Sequence, residues 1–357
     1  MTATPDRVRV CFTASELHSV GGVPEFVRRC AAGLRARGHA VAILAGAPPE
    51  GVQSIHEMTE VRGLNKGFSL AGAISLARAM LAQPAGTVFV GNSLNAALVT
   101  AVTARLSGRR SLFFVHGLTS RYQRGAMFLA CRAAEWVTAA FSDAVIVLNR
   151  DDDRTLWTAR RRLPFAHGVE IPPFAARGGP PTPVRLLCIA RHEPQKNLGA
   201  VLDALAGGQR RWRLTIIGEG SLLAKHQAQA ASLEIADRVI FTPRLTPEAL
   251  PWFEHDIFLL GSLSEGMPLS LLEAFARGMP AIVTNAPGLA DFVDHGQTGQ
   301  ILRRLDAASV DKALDAITQD YVRYSRAARE TAEQRFSLAD SLSRLSALLG
   351  AAGRRPA

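Results

Sequence analysis

The sequence predicts an α/β protein of two domains, each a doubly wound parallel sheet. Three observations carry that prediction. Short apolar runs alternate with longer amphipathic segments along nearly the whole chain, the pattern of repeated βαβ units. The alternation breaks once, where Pro164, Pro172, Pro173, Gly178, Gly179, Pro180, Pro181 and Pro183 crowd together as a linker would. The chain has 357 residues, 48% hydrophobic and 20% charged, enough to bury two full cores. The expected division is a first domain over 1–168, a linker over 169–183, a second domain over 184–333 and a closing helical segment over 334–357.

Composition narrows the function classes. No apolar run approaches the roughly 20 residues needed to cross a bilayer. The first residues run directly into a strand and carry no secretory signal. Cys11, Cys30, Cys131 and Cys188 form no C-x-x-C pair, so neither a zinc site nor a disulfide framework is suggested, and a reducing cytoplasm is the expected compartment. The net charge of +10 is uneven: residues 1–170 hold 20 Lys+Arg against 12 Asp+Glu, the remainder 21 against 19. No zinc finger or RNP-type aromatic pattern accompanies the basic half, which argues against nucleic acid and for an anionic membrane surface or anionic acceptor.

In chain order, residues 7–13 read as the first strand. Gly21-Gly22 follows, then a helix over 26–37 closed by Gly38, then a strand over 40–45. A glycine pair where a helix starts lets backbone approach a phosphate or sugar closely, although turn glycines are commoner than ligand loops. Further strands are expected at 87–90, 111–115 and 144–148. His116-Gly117 follows the second of these, at the strand end where open α/β sheets bind ligands. Residues 121–141 form an amphipathic helix candidate with Arg121, Arg124 and Arg132 beside Phe128, Leu129 and Trp136; Arg160-Arg161-Arg162 lies near Trp157. Both basic clusters suit anionic headgroups and equally suit a solvated face. Asp151-Asp152-Asp153 is accounted for by capping and dipole effects at a helix start, without a metal.

The second series begins with a strand at 185–190, followed by Arg191 through Asn197 and a helix from Leu198. A strand at 213–217 leads into Gly218-Glu219-Gly220, and one at 239–241 into Pro243-Arg244-Leu245. Strands at 257–260 and 281–283 flank the most informative stretch, residues 264–280. There Pro268 suits a first helical position, and Gly278 and Pro280 mark a helix end. Glu265 precedes the helix and Glu273 lies about 1.5 turns inside it, on the order of 7–8 Å along the axis. A ligand laid across the helix start would meet a carboxylate at each end and backbone amides in its middle, as a nucleotide diphosphate sugar would. A last amphipathic helix is expected over 336–349.

Arg191 and Lys196 add cations in the same domain, able to donate to phosphate oxygens and to stabilise a diphosphate leaving group. With these residues in hand, the chain resembles the family 4 retaining glycosyltransferases of the GT-B fold. The resemblance rests on Gly21-Gly22, His116-Gly117, His167 through Glu170, Arg191 through Asn197, Gly218 through Gly220, and Glu265 through Glu273 with Gly278 and Pro280. These occur in the family's order over almost the whole chain, and the Glu-x7-Glu and Arg-x4-Lys-Asn stretches discriminate best. It implies two Rossmann-like domains with parallel sheets facing across a cleft, an acceptor-binding first domain, a donor-binding second, and a final helix returning to the first.

The resemblance further implies that Arg191 and Lys196 bind the donor diphosphate, while Glu265 with Gly266, Met267, Pro268 and Leu269 holds sugar and diphosphate. Glu273 would hold ribose hydroxyls, Gly21 and Gly22 would close on the diphosphate, and His116 would lie near the transferring sugar. Gly218, Glu219, Arg244 and Leu245 would border the nucleoside. Three positions depart from the pattern: His167 replaces the usual Asn, Pro243 a common Gly, and Ala190 the Gly before Arg191. The implied activity is metal-independent, retaining transfer of a hexosyl-type sugar from a UDP- or GDP-sugar to a lipid-linked or oligosaccharide acceptor, in bacterial surface polysaccharide or glycolipid synthesis. The implied place is the cytoplasm, with peripheral contact at the inner membrane. A GT-B-like nucleotide-sugar epimerase and a non-catalytic sugar-nucleotide-binding scaffold are the alternatives.

Overall fold

The computed structural model describes residues 7–17, 22–46, 58–64, 68–174, 178–209 and 211–353. The chain divides into two compact units, the first comprising Met1–His167 with Ala339–Ala357 and the second Gly168–Leu338. The proline-rich segment thus belongs to the second unit, and the last helix belongs to the first.

In the first unit strands and helices alternate along most of the chain. They are β1 (Arg9–Glu16), α1 (Gly22–Ala36), β2 (Ala40–Gly46), β3 (Met58–Glu60), α2 (Leu70–Leu81), β4 (Val88–Gly91), α3 (Leu94–Leu106), β5 (Arg110–Val115), α4 (Gly125–Phe141), β6 (Ala144–Val147), α5 (Arg150–Thr155) and β7 (Arg162–Pro164). Among the described residues they form a seven-stranded sheet ordered β3-β2-β1-β4-β5-β6-β7, parallel throughout. The second unit carries β8 (Val184–Ile189), α6 (Leu198–Ala206), β9 (Trp212–Ile217), α7 (Leu223–Ser232), β10 (Val239–Thr242), β11 (Ile257–Leu260), α8 (Leu269–Phe275), β12 (Ala281–Thr284), β13 (Gly299–Leu302), α9 (Ala307–Gln319) and α10 (Tyr321–Arg335). Its six-stranded parallel sheet runs β10-β9-β8-β11-β12-β13.

Strands covered by helices on both faces must be apolar along their length, and β4, β6 and β11 are buried at every residue. Cys11, Leu44 and Phe89 of the first sheet pack against Leu76 and Met80 of α2 and Ala96 and Ala104 of α3. Removing each such large side chain from water contributes about 1.5–3 kcal/mol. Helix starts follow local chemistry: Ser69, Asn149 and Asp306 each accept a backbone N–H three residues on, capping α2, α5 and α9.

The sequence predicts Pro268 at the first helical position. It stands instead one residue earlier, with extended backbone (φ −76°, ψ 103°), and α8 starts at Leu269. A proline cap loses nothing there, because its absent N–H would be outside the helix. The closing segment also differs in detail. α10 ends at Arg335, and a separate helix, α11 (Leu338–Gly353), starts three residues later. Leu342, Leu345 and Leu349 of α11 are buried at helical spacing. Gly33 of α1 lies beneath Leu342: a Cβ there would stand 2.3 Å from the leucine Cδ1, so a larger residue would displace that side chain. Ser346 Oγ meets His39 Nε2 at 2.6 Å, and Ser341 Oγ donates to the Ala166 carbonyl at 3.0 Å.

Strand order reverses between β1 and β4 in one sheet and between β8 and β11 in the other. At such a switch point, neighbouring loops run to opposite faces and leave a crevice at the strands' carboxyl ends.

Candidate functional site

At the second unit's switch point, the loops after β8 and β11 are tied together by side chains. Asn197, in left-handed conformation (φ 54°, ψ 33°), donates from Nδ2 to the Gly261 carbonyl at 3.2 Å. Asparagine tolerates that conformation better than most residues. Gln195 Nε2 donates to the Ser264 carbonyl at 2.8 Å, and the Leu263 amide to the Gln195 carbonyl at 2.9 Å. The Glu265 amide donates to the Pro287 carbonyl of the loop after β12, also at 2.9 Å.

Within this frame Glu265 is buried, and its Oε1 accepts from two donors, Lys196 Nζ at 2.6 Å and Ser262 Oγ at 2.6 Å. Thr284 Oγ1 in turn donates to the Ser262 carbonyl at 2.7 Å. Lys196 and Glu265 are therefore brought together, paired with each other. Arg191 is exposed, and its guanidinium has no hydrogen-bond or ion-pair partner among the described residues. Gly266, Met267 and Pro268 are buried, Leu269 is half-buried at the start of α8, and Glu273 is half-buried within that helix.

After β9, Gly218 packs directly against the β8 loop; a Cβ at this position would stand 2.2 Å from the Ala190 carbonyl oxygen. Glu219 and Arg244 are exposed, and the carboxylate offsets the lowering of the guanidinium pKa that partial burial causes. Leu245 is half-buried beside Arg244. The Glu219 carbonyl accepts from the His192 amide at 2.9 Å. His192 Nδ1 and His226 Nδ1 lie 2.9 Å apart, so one carries the proton and the other the lone pair. Burial, reinforced by His226, lowers the His192 pKa to about 4, which keeps it neutral.

In the first unit, His116 follows β5 at the carboxyl edge beside the switch point. Asn92, just after β4, directs Nδ2 to the carbonyls of Val90 (2.9 Å) and Thr13 (3.3 Å). Its Oδ1 therefore faces His116 Nε2 at 3.0 Å, so that nitrogen carries the proton and Nδ1 holds the lone pair. Burial, with a contribution from His167, pushes the His116 pKa well below the ordinary histidine range. His116 and His167 stack with Phe114 at centroid distances of 4.8 and 5.5 Å, and Phe26 of α1 packs against both imidazoles. A cavity of about 210 Å³ opens beside His116, with Val23, Ser93, Thr119 and buried Glu135 in its wall. Glu135 accepts from the Ser120 amide (2.9 Å) and Ser120 Oγ (2.7 Å). Gly22 is the exposed first residue of α1, with nothing within 4 Å of where a Cβ would stand; Gly21 lies outside the described residues.

Sequence reasoning missed Ser262, Gln195, Asn92 and the His192–His226 pair. Ser262 carries no motif of its own, but its place three residues before Glu265 in a tight loop was available as a signal. No grouping of His, Cys, Asp and Glu suited to a metal ion occurs among the described residues.

Two parallel Rossmann-like sheets, each with polar residues gathered at its carboxyl edge, define the GT-B class of α/β protein. Residues 20–173 match the family Glycosyltransferase Family 4, and residues 174–335 match the family Glycosyl transferases group 1. Together these matches span most of the sequence, and the chain belongs to this glycosyltransferase family. It is 30% identical over 169 residues to the amylovoran biosynthesis glycosyltransferase AmsK of Erwinia amylovora, covering 43% of this chain and 42% of AmsK. It is 31% identical over 154 residues to the GDP-mannose-dependent alpha-(1-6)-phosphatidylinositol monomannoside mannosyltransferase of Mycobacterium tuberculosis, covering 40% and 39%. The matched stretches thus span about two-fifths of these relatives. In fold, the chain is similar to Anabaena Alr3699/HepE, solved in complex with UDP and glucose. The TM-score is 0.79 at 16% identity, covering 97% of this chain and 100% of that one.

Proposed function

We propose that this chain is a retaining glycosyltransferase that moves a sugar from a UDP- or GDP-sugar to a hydroxyl of a lipid-linked or saccharide acceptor. The observation that carries this reading is the Ser262–Glu265–Lys196 cluster, held at the second unit's switch point with exposed Arg191 on the same loop as Lys196. Arg191 and Lys196 supply cations to a diphosphate, the first turn of α8 supplies amides, and Glu265 and Glu273 supply acceptors for sugar and ribose hydroxyls. Gly218 lets the loop after β9 pack against the backbone of Ala190 next to Arg191, and Glu219, Arg244 and Leu245 border the nucleoside. In the first unit, Gly22 gives α1 an exposed start with no side chain over it.

In the reaction, the acceptor oxygen bonds to the anomeric carbon as the carbon–oxygen bond to the diphosphate breaks on the same face. The acceptor proton passes to the departing phosphate oxygen, whose growing charge Arg191 and Lys196 stabilise. His116 is held neutral with Nε2–H fixed on Asn92, so its Nδ1 lone pair serves as an acceptor for a substrate hydroxyl. Cationic side chains do the work of a metal at the diphosphate, and full turnover in excess EDTA is expected. No helix among the described residues is long and apolar enough to cross a membrane. The exposed Met127, Leu129 and Val137 of α4 fit peripheral contact with a membrane that presents the lipid-linked acceptor, at its cytoplasmic face.

The test is turnover of UDP- and GDP-sugars by the intact protein and by Glu265→Gln, with NMR of the product linkage. Loss of transfer in a folded Glu265→Gln protein and a retained anomer are expected. Undiminished turnover by that variant would reject the site, and an inverted anomer would reject the mechanism.

A further inference from the structure

A second cavity, of about 340 Å³, lies at the opposite edge of the first unit's sheet. Its wall is built where β5, β6 and β7 begin, so it sits about 20 Å from His116 along β5, at roughly 3.3 Å per residue. Arg105, Arg109, Arg110 and Arg161 face it, together with the single carboxylate Asp143. On the remaining side Leu348 of α11 and Phe141 of α4 give it an apolar wall.

Two of the four arginines are accounted for by the fold. Arg109 donates to the carbonyls of Met80, Leu81 and Gln83 at 2.9–3.0 Å and so caps the C-terminal end of α2. Arg105 stands in the last turn of α3, where the helix dipole favours a cation. Arg110 and Arg161 have neither explanation. Arg110 is half-buried, Arg161 is exposed, and neither guanidinium has a hydrogen-bond or ion-pair partner among the described residues. The carboxylate is engaged elsewhere: Asp143 Oδ2 accepts the Ser111 amide at 2.9 Å. A half-buried guanidinium left unpaired is costly, and a cavity that gathers cations without answering them favours an anion.

We propose that this cavity binds a phosphate group, Arg110 and Arg161 presenting their planar forks to its oxygens and the apolar wall accepting whatever carbon skeleton the phosphate carries. A guanidinium meets phosphate through two parallel N–H donors, which an ammonium cannot do. The phosphate comes either from a soluble ester or from a lipid headgroup. No residue of the cluster around Glu265 lines it, and α11 supplies part of its wall.

The experiment uses the full chain, its Arg110→Gln/Arg161→Gln variant and an Arg191→Gln control. Inorganic phosphate is titrated by calorimetry at constant ionic strength, and phosphatidylglycerol vesicles are tested by flotation. For a soluble source, phosphate affinity falls in the double variant by on the order of tenfold per arginine while vesicle binding holds. For a lipid source, vesicle binding falls by that margin. In both cases Arg191→Gln removes only phosphate held at the diphosphate cradle and leaves the part that depends on Arg110 and Arg161. An Arg110→Lys/Arg161→Lys variant, which keeps the charge and loses the fork, recovers only part of it. The proposal is overturned if neither form of binding falls in a folded double variant, or if Arg191→Gln alone abolishes the binding.

Discussion

Replacing Lys196 by Met tests the heart of the second unit. Its ammonium lies 2.6 Å from Glu265, with side-chain exposures of 16% and 8%. At an effective dielectric of about 20, two unit charges at that separation attract by roughly 6 kcal/mol, and desolvating both ends offsets much of it. Removing only the lysine leaves the carboxylate buried with the Ser262 hydroxyl still donating to it, so the cost is about 3–5 kcal/mol. Glu265→Gln keeps an acceptor for Ser262 Oγ and strands the lysine, which is less buried, so it costs less. The double substitution removes both charges and costs less than the sum of the singles by about 2 kcal/mol. Native-state hydrogen exchange at β8 and β11 reads all three values within the unit concerned. Single losses that add to within about 0.5 kcal/mol would show that the two groups do not stabilise each other, and the reasoning about the pair would fail.

Other consequences are equally direct. Gly218→Ala forces a Cβ to within 2.2 Å of the Ala190 carbonyl, so it should destabilise by about 1–3 kcal/mol and weaken donor binding in a thermal-shift titration. His167 and His192 are held neutral in the fold, with pKa values lowered by burial from 6.5 to about 3 and about 4. Unfolded, both protonate near 6.5, so their contribution is complete above that pH and is lost as pH falls from 6.5 toward 4 and 3. Stability from urea titrations should fall between pH 7.5 and 4, by on the order of 3 kcal/mol through His167 alone, and His167→Leu should flatten the curve. Asn92→Leu frees the His116 tautomer without touching the second unit, so transfer should slow about tenfold or more while donor affinity holds; unchanged kcat would refute the tautomer argument.

The sheets are readable because parallel strands buried on both faces appear as bare apolar runs, as residues 257–260 and 281–283 do. The edge strands β3 and β7 are not: each has three residues with no buried one, so neither carries an apolar run. α10 is also hard to read, since its buried face includes Ser325 and Arg329. At the site, Glu265 and Lys196 announce themselves by spacing, but their mutual pairing does not, because 69 residues separate them and only the β8–β11 adjacency brings them together. Asn92 is silent for the same reason. An asparagine after a strand is ordinary, and its meaning comes from two carbonyls and one imidazole that meet in space.

The second unit is continuous in the chain, whereas the first is completed only by α11. During synthesis, residues 168–338 are therefore all made before most of the helix that covers Gly33. At about 5–20 residues per second, residues 168–353 take roughly 9–37 s. The domain translated first must wait for the domain translated second, with the face of α1 around Gly33 exposed in the interval. That interval is when the nascent chain is most open to a chaperone or to a wrong partner.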